Sequence, residues 1–318
     1  MNMSNSGRIK VSVVMCTYNG GRYLRQQIDS ILAQTYPVDE LIVQDDCSTD
    51  DTVAIVREYA KIYPFIRVYV NERNMGYNAN FLNAVFKAKG EAIAIADQDD
   101  IWLPAKLEKQ VALLEQGYNF VFHNSALFER DPQSLVSARH KERPLLTDFR
   151  LLLKPFIPGH ECLFMRQALP WLEKIMTHEH SVAYAYVIAL VCKATGGIAY
   201  VDEPLVLWRR HEKAATFAGR SDTGAFAGVL KSFLSVFNSR KRDVLKRYFA
   251  AVSVLPFDNK DTRQLVCLMQ GGICGLFRAC ALCWRHTADL QHGTGLRSRI
   301  KALLTPLHLL REDKFLIK

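Results

Sequence analysis

The 318-residue chain has no Gly-x-Gly-x-x-Gly turn after its first apolar run and no Walker lysine loop. Neither a dinucleotide site nor a P-loop is therefore supported. Its first ten residues, Met1 to Lys10, are short of apolar side chains and lack the hydrophobic core of a signal peptide, which predicts a chain that stays in the cytosol. The eight cysteines, at 16, 47, 162, 192, 267, 274, 280 and 283, show no pairing pattern, and several sit in apolar runs. There cysteine behaves as a small hydrophobe, and a reducing compartment follows. A clean membrane span is missing too. The most hydrophobic window, Leu265 to Trp284, is interrupted by Gln270 and Arg278, and a charge near a bilayer centre costs roughly 2.5–3.5 kcal/mol on insertion scales. This window is expected to lie in the membrane interface rather than to cross it.

The charge that is present is unevenly placed. Residues 225–318 hold 16 Lys/Arg against 6 Asp/Glu, whereas residues 1–224 hold 25 against 26. A basic tail of this kind wants an acidic surface, either nucleic acid or an anionic membrane. Interleaved exposed aromatics and recognised nucleic-acid motifs are absent, so nucleic acid is not expected as a partner. Apolar and basic clusters alternate instead: Val229-Leu230-Lys231-Ser232-Phe233-Leu234, then Arg240-Lys241-Arg242, then Lys246-Arg247-Tyr248-Phe249. These read as amphipathic helices held to an anionic membrane surface. Two domains are expected, one over 1–224 and a membrane-associating one over 225–318.

Within the first of these, short apolar runs alternate with helical patterns. Strands are expected at Val11–Thr17, Leu41–Val43, Ile66–Val70, Ala92–Ile95 and Tyr118–Phe122. Helices are expected from about Leu24 to Leu32, Thr52 to Tyr63 under a Ser48/Asp51 capping box, Asn78 to Ala88, and Pro104 to Glu115 with proline at its first position. Residues 124–157 read as irregular. The alternation argues for a parallel sheet covered on both faces, with ligands at the carboxyl ends of the strands. Thr17-Tyr18-Asn19, Asp45-Asp46 and Asp97-Gln98-Asp99-Asp100 would then converge on one rim. Carboxylates this close need a cation, and Mg²⁺ or Mn²⁺ with a diphosphate meets that need through one or two carboxylates and phosphate oxygens.

Val-Ser-Val-Val-Met-Cys-Thr-Tyr-Asn at 11–19, Gln-Asp-Asp-Cys-Ser-Thr-Asp at 44–50, Asn74-x-Gly76 with Asn80, and Asp97-Gln98-Asp99-Asp100 together resemble family 2 glycosyltransferases of the GT-A fold. The Asp-Gln-Asp-Asp-x-Trp form is similar to that of bacterial rhamnosyltransferase-like members that build O-antigen and capsule. The resemblance covers roughly residues 9–215. It implies an α/β, Rossmann-like sheet with helices on both faces, followed here by the C-terminal amphipathic helical region. It also implies an inverting, metal-dependent transfer of sugar, rhamnose from dTDP-rhamnose favoured. By the same resemblance the donor is expected to be a nucleotide-diphospho-sugar and the acceptor a lipid-linked (undecaprenyl-diphosphate) glycan, at the inner face of the bacterial plasma membrane. By that likeness Thr17, Tyr18 and Asn19 cradle the nucleotide, Asp46 meets the base, Asp97 lies near the ribose, and Asn78 and Gln98 join the donor site. Asp99 ligates the metal. Trp208-Arg209-Arg210-His211 resembles the segment whose arginines and histidine close over the diphosphate, with His211 as a further metal ligand. His160 and Trp102 are expected on the acceptor side.

The general base is the exception. In relatives an aspartate lies a fixed distance before a segment like Gly197-Ile198-Ala199-Tyr200-Val201-Asp202-Glu203-Pro204-Leu205, and counting back here reaches Tyr184-Ala185-Tyr186. Ala185 cannot accept a proton. Three readings stay open: a natural departure, an engineered inactive variant, or a shifted register in which Glu161 or Glu179 serves. A non-catalytic nucleotide-sugar-binding or scaffold protein is the alternative function.

Overall fold

A computed structural model describes residues 7–129, 132, 135–176, 182–210 and 235–311. It forms two compact units, one drawn from 1–142, 158–167 and 198–214, the other from 143–157, 168–197 and 215–318. The expected boundary at 224/225 lies outside the described residues.

The first unit is built on a sheet. β1 (Val11–Thr17) and β4 (Ala92–Ala96) are nearly continuous apolar runs, as strands covered on both faces require; β2 (Glu40–Asp45) is buried throughout around Leu41-Ile42-Val43, and β3 (Ile66–Val70), at the sheet edge, is buried only at Ile66. They pair in parallel in the order β3-β2-β1-β4. Between them run α1 (Gly21–Leu32), α2 (Thr52–Ile62) and α3 (Tyr77–Val85). Alternate strand residues Val11, Val13, Met15, Leu41, Val43, Ala92, Ala94 and Ala96 pack with Leu24, Ile28 and Ile31 of α1 and Ile55 and Val56 of α2. α3 packs on β1 and β2 without joining that cluster, so it covers the other set of side chains.

Beyond β4 the sheet is mixed rather than parallel. β5 (Ile101–Trp102) and α4 (Lys106–Leu114) precede β6 (Phe120–Phe128), β7 (Leu135–Ala138), β8 (Cys162–Met165) and β9 (Ile198–Arg209). β8 runs antiparallel to both β4 and β6, and β9 runs parallel to β6 and antiparallel to β5. Apolar runs identify strands but carry no sign of direction. Residues 124–157 are also more regular than expected, because β6 continues through Phe128, β7 pairs with it, and α5 (Asp148–Leu153) begins at a Thr147 cap. The capping box is not formed. Ser48 Oγ bonds Asp45, and Asp50 Oδ1 accepts the Thr52 N–H at 3.0 Å instead. α4 starts at Lys106, two residues after Pro104.

The second unit is helical. α6 (Leu169–Met176) and α7 (Tyr184–Thr195) are followed by α8 (Ser239–Val252), α9 (Lys260–Gln270), α10 (Gly272–Arg285), α11 (Thr287–Leu290), α12 (Leu296–Leu303) and α13 (Thr305–Arg311). The cluster Val229 to Leu234 lies outside the described residues. The hydrophobic window 265–284 breaks at a corner where Gly272 takes φ +67°, a conformation that suits glycine. A Cβ on Gly275 would lie 2.1 Å from the Leu268 carbonyl oxygen, so this glycine permits the close approach of α10 to α9. Among the described residues no helix is long and apolar enough to cross a membrane.

Candidate active site

Three strand ends meet through short polar contacts. The Asp46 N–H donates to the Thr17 carbonyl at 2.8 Å, and the Thr17 hydroxyl donates to Asp45 at 2.7 Å. Asn19 takes φ +48°, within the left-handed region that asparagine tolerates. Its Oδ1 accepts the Thr49 N–H at 2.8 Å, which ties the end of β1 to the loop after β2. Gln98 pairs with the Tyr18 backbone through both its amide atoms, at 2.9 and 3.1 Å, while the Tyr18 ring is exposed. Gly20 lets Gln98 lie there, because a Cβ would sit 2.1 Å from Gln98 Oε1.

Asp46 is buried and organises the loop before α3. Its Oδ1 accepts from Asn71 Nδ2 at 2.8 Å and from the Met75 N–H at 2.7 Å, and its Oδ2 from the Gly76 N–H at 2.9 Å. Asn80 fixes the same corner, donating to the Gln44 carbonyl at 2.9 Å. Asn78 is buried on α3.

The acidic cluster closes around His160, which is 2% exposed. Nδ1 lies 3.2 Å from Asp97 Oδ2 and 3.9 Å from Asp100 Oδ2, and Nε2 lies 3.3 Å from Ser125 Oγ. Asp100 is fully buried; its Oδ1 accepts the Arg209 N–H at 3.0 Å and its Oδ2 has no hydrogen-bond partner. Burial pushes the Asp100 carboxyl well above the usual range; the charge of His160 opposes this, and Asp99 and Asp97 add to it. Burial would lower His160, but Asp100 and Asp97, with Glu161, hold it above its ordinary value. The carboxylates thus favour positive charge at this point, which either a proton on His160 or a bound cation would supply.

Behind His160, Glu161 is fully buried. It accepts from Ser125 Oγ at 2.6 Å and lies 3.1 Å from Arg139 and 3.3 Å from His140. Burial alone would raise its pKa, but Arg139, the bond from His140 and the charge of His160 bring it down to about 2. A carboxylate so held is a weak proton acceptor at neutral pH. Arg209 spans the far side, with its Nε donating to the Asp99 carbonyl at 2.8 Å, Nη2 donating to Gln26 at 2.5 Å, and the guanidinium over the rings of Tyr23 and Phe128. Arg210 is exposed. Trp102, expected on the acceptor side, is 2% exposed in the core with the Lys106 ammonium 4.0 Å above its ring. Ala185 is buried at the start of α7 in the helical unit. Glu179 and His211 lie outside the described residues.

Among the described residues one group could hold a metal, and it is Asp97, Asp100 and His160, whose ligand atoms lie within 4.8 Å of one another. Two carboxylates and an imidazole suit a divalent ion such as Mn²⁺, and the unpartnered Asp100 oxygen is an acceptor left for it. Ser125, Arg139 and His140 were not foreseen. For Ser125 the signal is the polar run His123-Asn124-Ser125 directly after Phe120-Val121-Phe122, which reads as a strand end but is a strand interior; Arg139 and His140 had none.

The model of the family described as Glycosyl transferase family 2 matches residues 12–170. The chain belongs to that family. The glycosyltransferase is 31% identical over 257 residues to an uncharacterized Mycobacterium tuberculosis protein, covering 74% of this chain and 71% of that one. Its fold is similar to that of S. aureus TarS 1-349 in complex with UDP-GlcNAc, at TM-score 0.55 and 17% identity over 96% of this chain and 90% of TarS. It is also similar to the mannosyltransferase PcManGT from Pyrobaculum calidifontis in complex with GDP-Man and Mn²⁺, at TM-score 0.52 and 19% identity over 97% and 88%. At these identities the likeness shows the fold, a GT-A architecture, as expected from the motifs.

Proposed function

We propose that the glycosyltransferase moves a sugar, rhamnose from dTDP-rhamnose favoured, from a nucleotide-diphosphate donor to a lipid-linked glycan in cell-surface polysaccharide synthesis, with inversion and with a divalent metal. The observation that carries this reading is the convergence of Thr17–Asn19, Asp46 and Asp97–Asp100 at the carboxyl ends of β1, β2 and β4. Donor and metal in PcManGT, and donor in TarS, are in keeping with it.

Asp97, Asp100 and His160 would hold the ion, and Asp99 and His211 are the ligands that the motif resemblance adds. A bound divalent ion offsets charge developing on a departing diphosphate. The protein's own part is positional. Gln98 fixes the Tyr18 backbone, Asp46 fixes the loop 71–76, and Arg209 and Arg210 supply positive charge near the Asp99-Asp100 turn. The basic tail supports attachment to the anionic inner leaflet, where a lipid-linked acceptor resides. Ala185 favours a second reading, a slow or non-catalytic nucleotide-sugar binder.

Calorimetric titration with dTDP, UDP and GDP, in Mn²⁺ and in chelator, tests the proposal. One nucleotide is expected to bind in a divalent-dependent way, and Asp99→Ala is expected to remove that dependence with the fold intact. Equal affinity in Mn²⁺ and chelator would refute the metal assignment, and no binding of any nucleotide would refute the donor site.

A further inference from the structure

The helical unit shows an outward surface of unusual make-up. α10 buries Gly275, Leu276, Ala279, Cys280, Leu282 and Cys283. Its other side leaves Ile273 and Phe277 37% and 48% exposed, one turn apart, with Ala281 exposed one turn further on. The neighbouring α12 repeats the pattern. Leu296 and Ile300, again one turn apart, are 67% and 44% exposed, and only Ala302 of this helix is buried. The two helices pack on each other, with the Arg299 guanidinium over the Trp284 ring at 5.9 Å.

Water gives these four large side chains nothing. Exposed apolar residues scattered singly are ordinary, but an exposed i, i+4 pair on each of two helices that pack together is more than scatter. The charge around the rows is one-sided. Between 271 and 303 the sequence holds five cations, Arg278, Arg285, Arg297, Arg299 and Lys301, and one acid, Asp289. Asp289 is engaged by His286 at 2.7 Å. Apolar side chains with an excess of Arg and Lys about them match the layering of a membrane surface, where acyl chains lie just below anionic headgroups.

We propose that the outward rows of α10 and α12 lie in an anionic lipid bilayer interface, with Ile273, Phe277, Leu296 and Ile300 in the acyl boundary and the five cations among the headgroups. Crossing is ruled out by length. α9 and α10, with 11 and 14 residues, reach about 16 and 21 Å at 1.5 Å per residue, against about 30 Å of hydrocarbon. The corner at Gly271-Gly272 folds the most apolar window back on itself, so one side of it faces the protein and the other faces outward. This inference rests on the lipid-linked acceptor reading and deepens it by naming the side chains that meet the membrane.

The test uses the full chain and flotation on two vesicle types, phosphatidylcholine alone and phosphatidylcholine with phosphatidylglycerol in equal parts. The wild type is expected to float with the anionic vesicles and not with the neutral ones. Arg278→Gln with Arg297→Gln is expected to lower partition about 30-fold, from on the order of a fivefold contribution per cation. Phe277→Ser with Leu296→Ser is expected to lower it on the order of 10²-fold and to remove the part that resists salt. Nucleotide binding, measured on the same proteins without vesicles, stays at wild-type strength in both variants, which separates this surface from the donor site. Failure of the wild type to bind anionic vesicles, or wild-type flotation by the Phe277/Leu296 variant, overturns the proposal. So does self-association in sedimentation without lipid that this variant abolishes, because the occupant would then be a second copy of the chain.

Discussion

Lys106 is a lysine with no exposure at all, and replacing it with methionine should make the protein more stable at neutral pH. Its ammonium donates to Gln110 Oε1 at 3.0 Å and faces the Trp102 ring at 4.0 Å. Burial lowers its pKa to about 7, against the smaller raising effects of Cys162, Glu161 and Asp100. Relative to an ordinary lysine near 10.5, this costs the charged form about 5 kcal/mol, of which about 4 kcal/mol is felt at pH 7 and about 2 kcal/mol at pH 9. The hydrogen bond and the cation–π contact return about 2 kcal/mol together. Lys106→Met, which keeps the stem's volume and its contact with Trp102, should therefore gain about 2 kcal/mol at pH 7 and about 1 kcal/mol at pH 9, where the native amine is neutral and only its hydrogen bond is lost. The sign follows from proton counting. Between pH 7 and 10.5 the unfolded chain holds a proton that the native lysine has released, so wild-type stability rises with pH across that window and the variant lacks this slope. Urea unfolding of both proteins at pH 7, 8 and 9, at fixed ionic strength, reads it directly. A variant less stable than wild type at pH 7, or a difference that does not change with pH, would show that Lys106 keeps its charge in the fold.

Ala185→Asp restores a proton acceptor at the position where the family resemblance expects the base, and should raise turnover by at least about 10²-fold with donor affinity unchanged. Transfer of labelled sugar to a lipid-linked acceptor measures it, and equal, rapid turnover by both forms would put the base elsewhere. Gly20→Ala pushes the Gln98 amide off the Tyr18 backbone; nucleotide affinity should fall about 10-fold, for the loss of roughly one to two hydrogen bonds of positioning. Unchanged calorimetric affinity would mean that Gln98 plays no part in the donor site. Gly275→Ala drives a Cβ into the Leu268 carbonyl and should cost about 1–3 kcal/mol in thermal or urea unfolding; a neutral result would mean that α9 and α10 can part without loss.

The strands of the first half were legible because burial on both faces leaves continuous apolar runs such as Val11–Thr17 and Ala92–Ala96. Their carboxyl ends were legible for the same reason, as the places where polarity returns. What sequence hid is pairing and partnership. β6 carries His123, Asn124 and Ser125 in its interior, all buried, and polar residues in a row read as a loop. Arg139 comes from a stretch without periodicity and meets Glu161 across 22 residues of chain. Lys106 sits at a helix start where a lysine ordinarily faces solvent. Asp50 rather than Ser48 or Asp51 serves the first turn of α2, a choice set by the backbone path after Cys47, which takes φ +65°.

The carboxylate of Asp46 has a further meaning when its lone pairs are counted. Each oxygen has about two acceptor directions; Oδ1 has spent both, on Asn71 and the Met75 N–H, and Oδ2 has spent one, on the Gly76 N–H. One direction is left. If Asp46 meets the nucleobase, as the motif resemblance implies, it can take one ring N–H, which uracil and thymine present. Guanine presents a ring N–H with an amino N–H beside it, so one of its two adjacent donors would be left without this acceptor, and adenine and cytosine offer no ring N–H. Selectivity between nucleotides would then come from the loop 71–76, which has occupied the rest of the acceptor, and the titration of dTDP and UDP against GDP reads that occupancy.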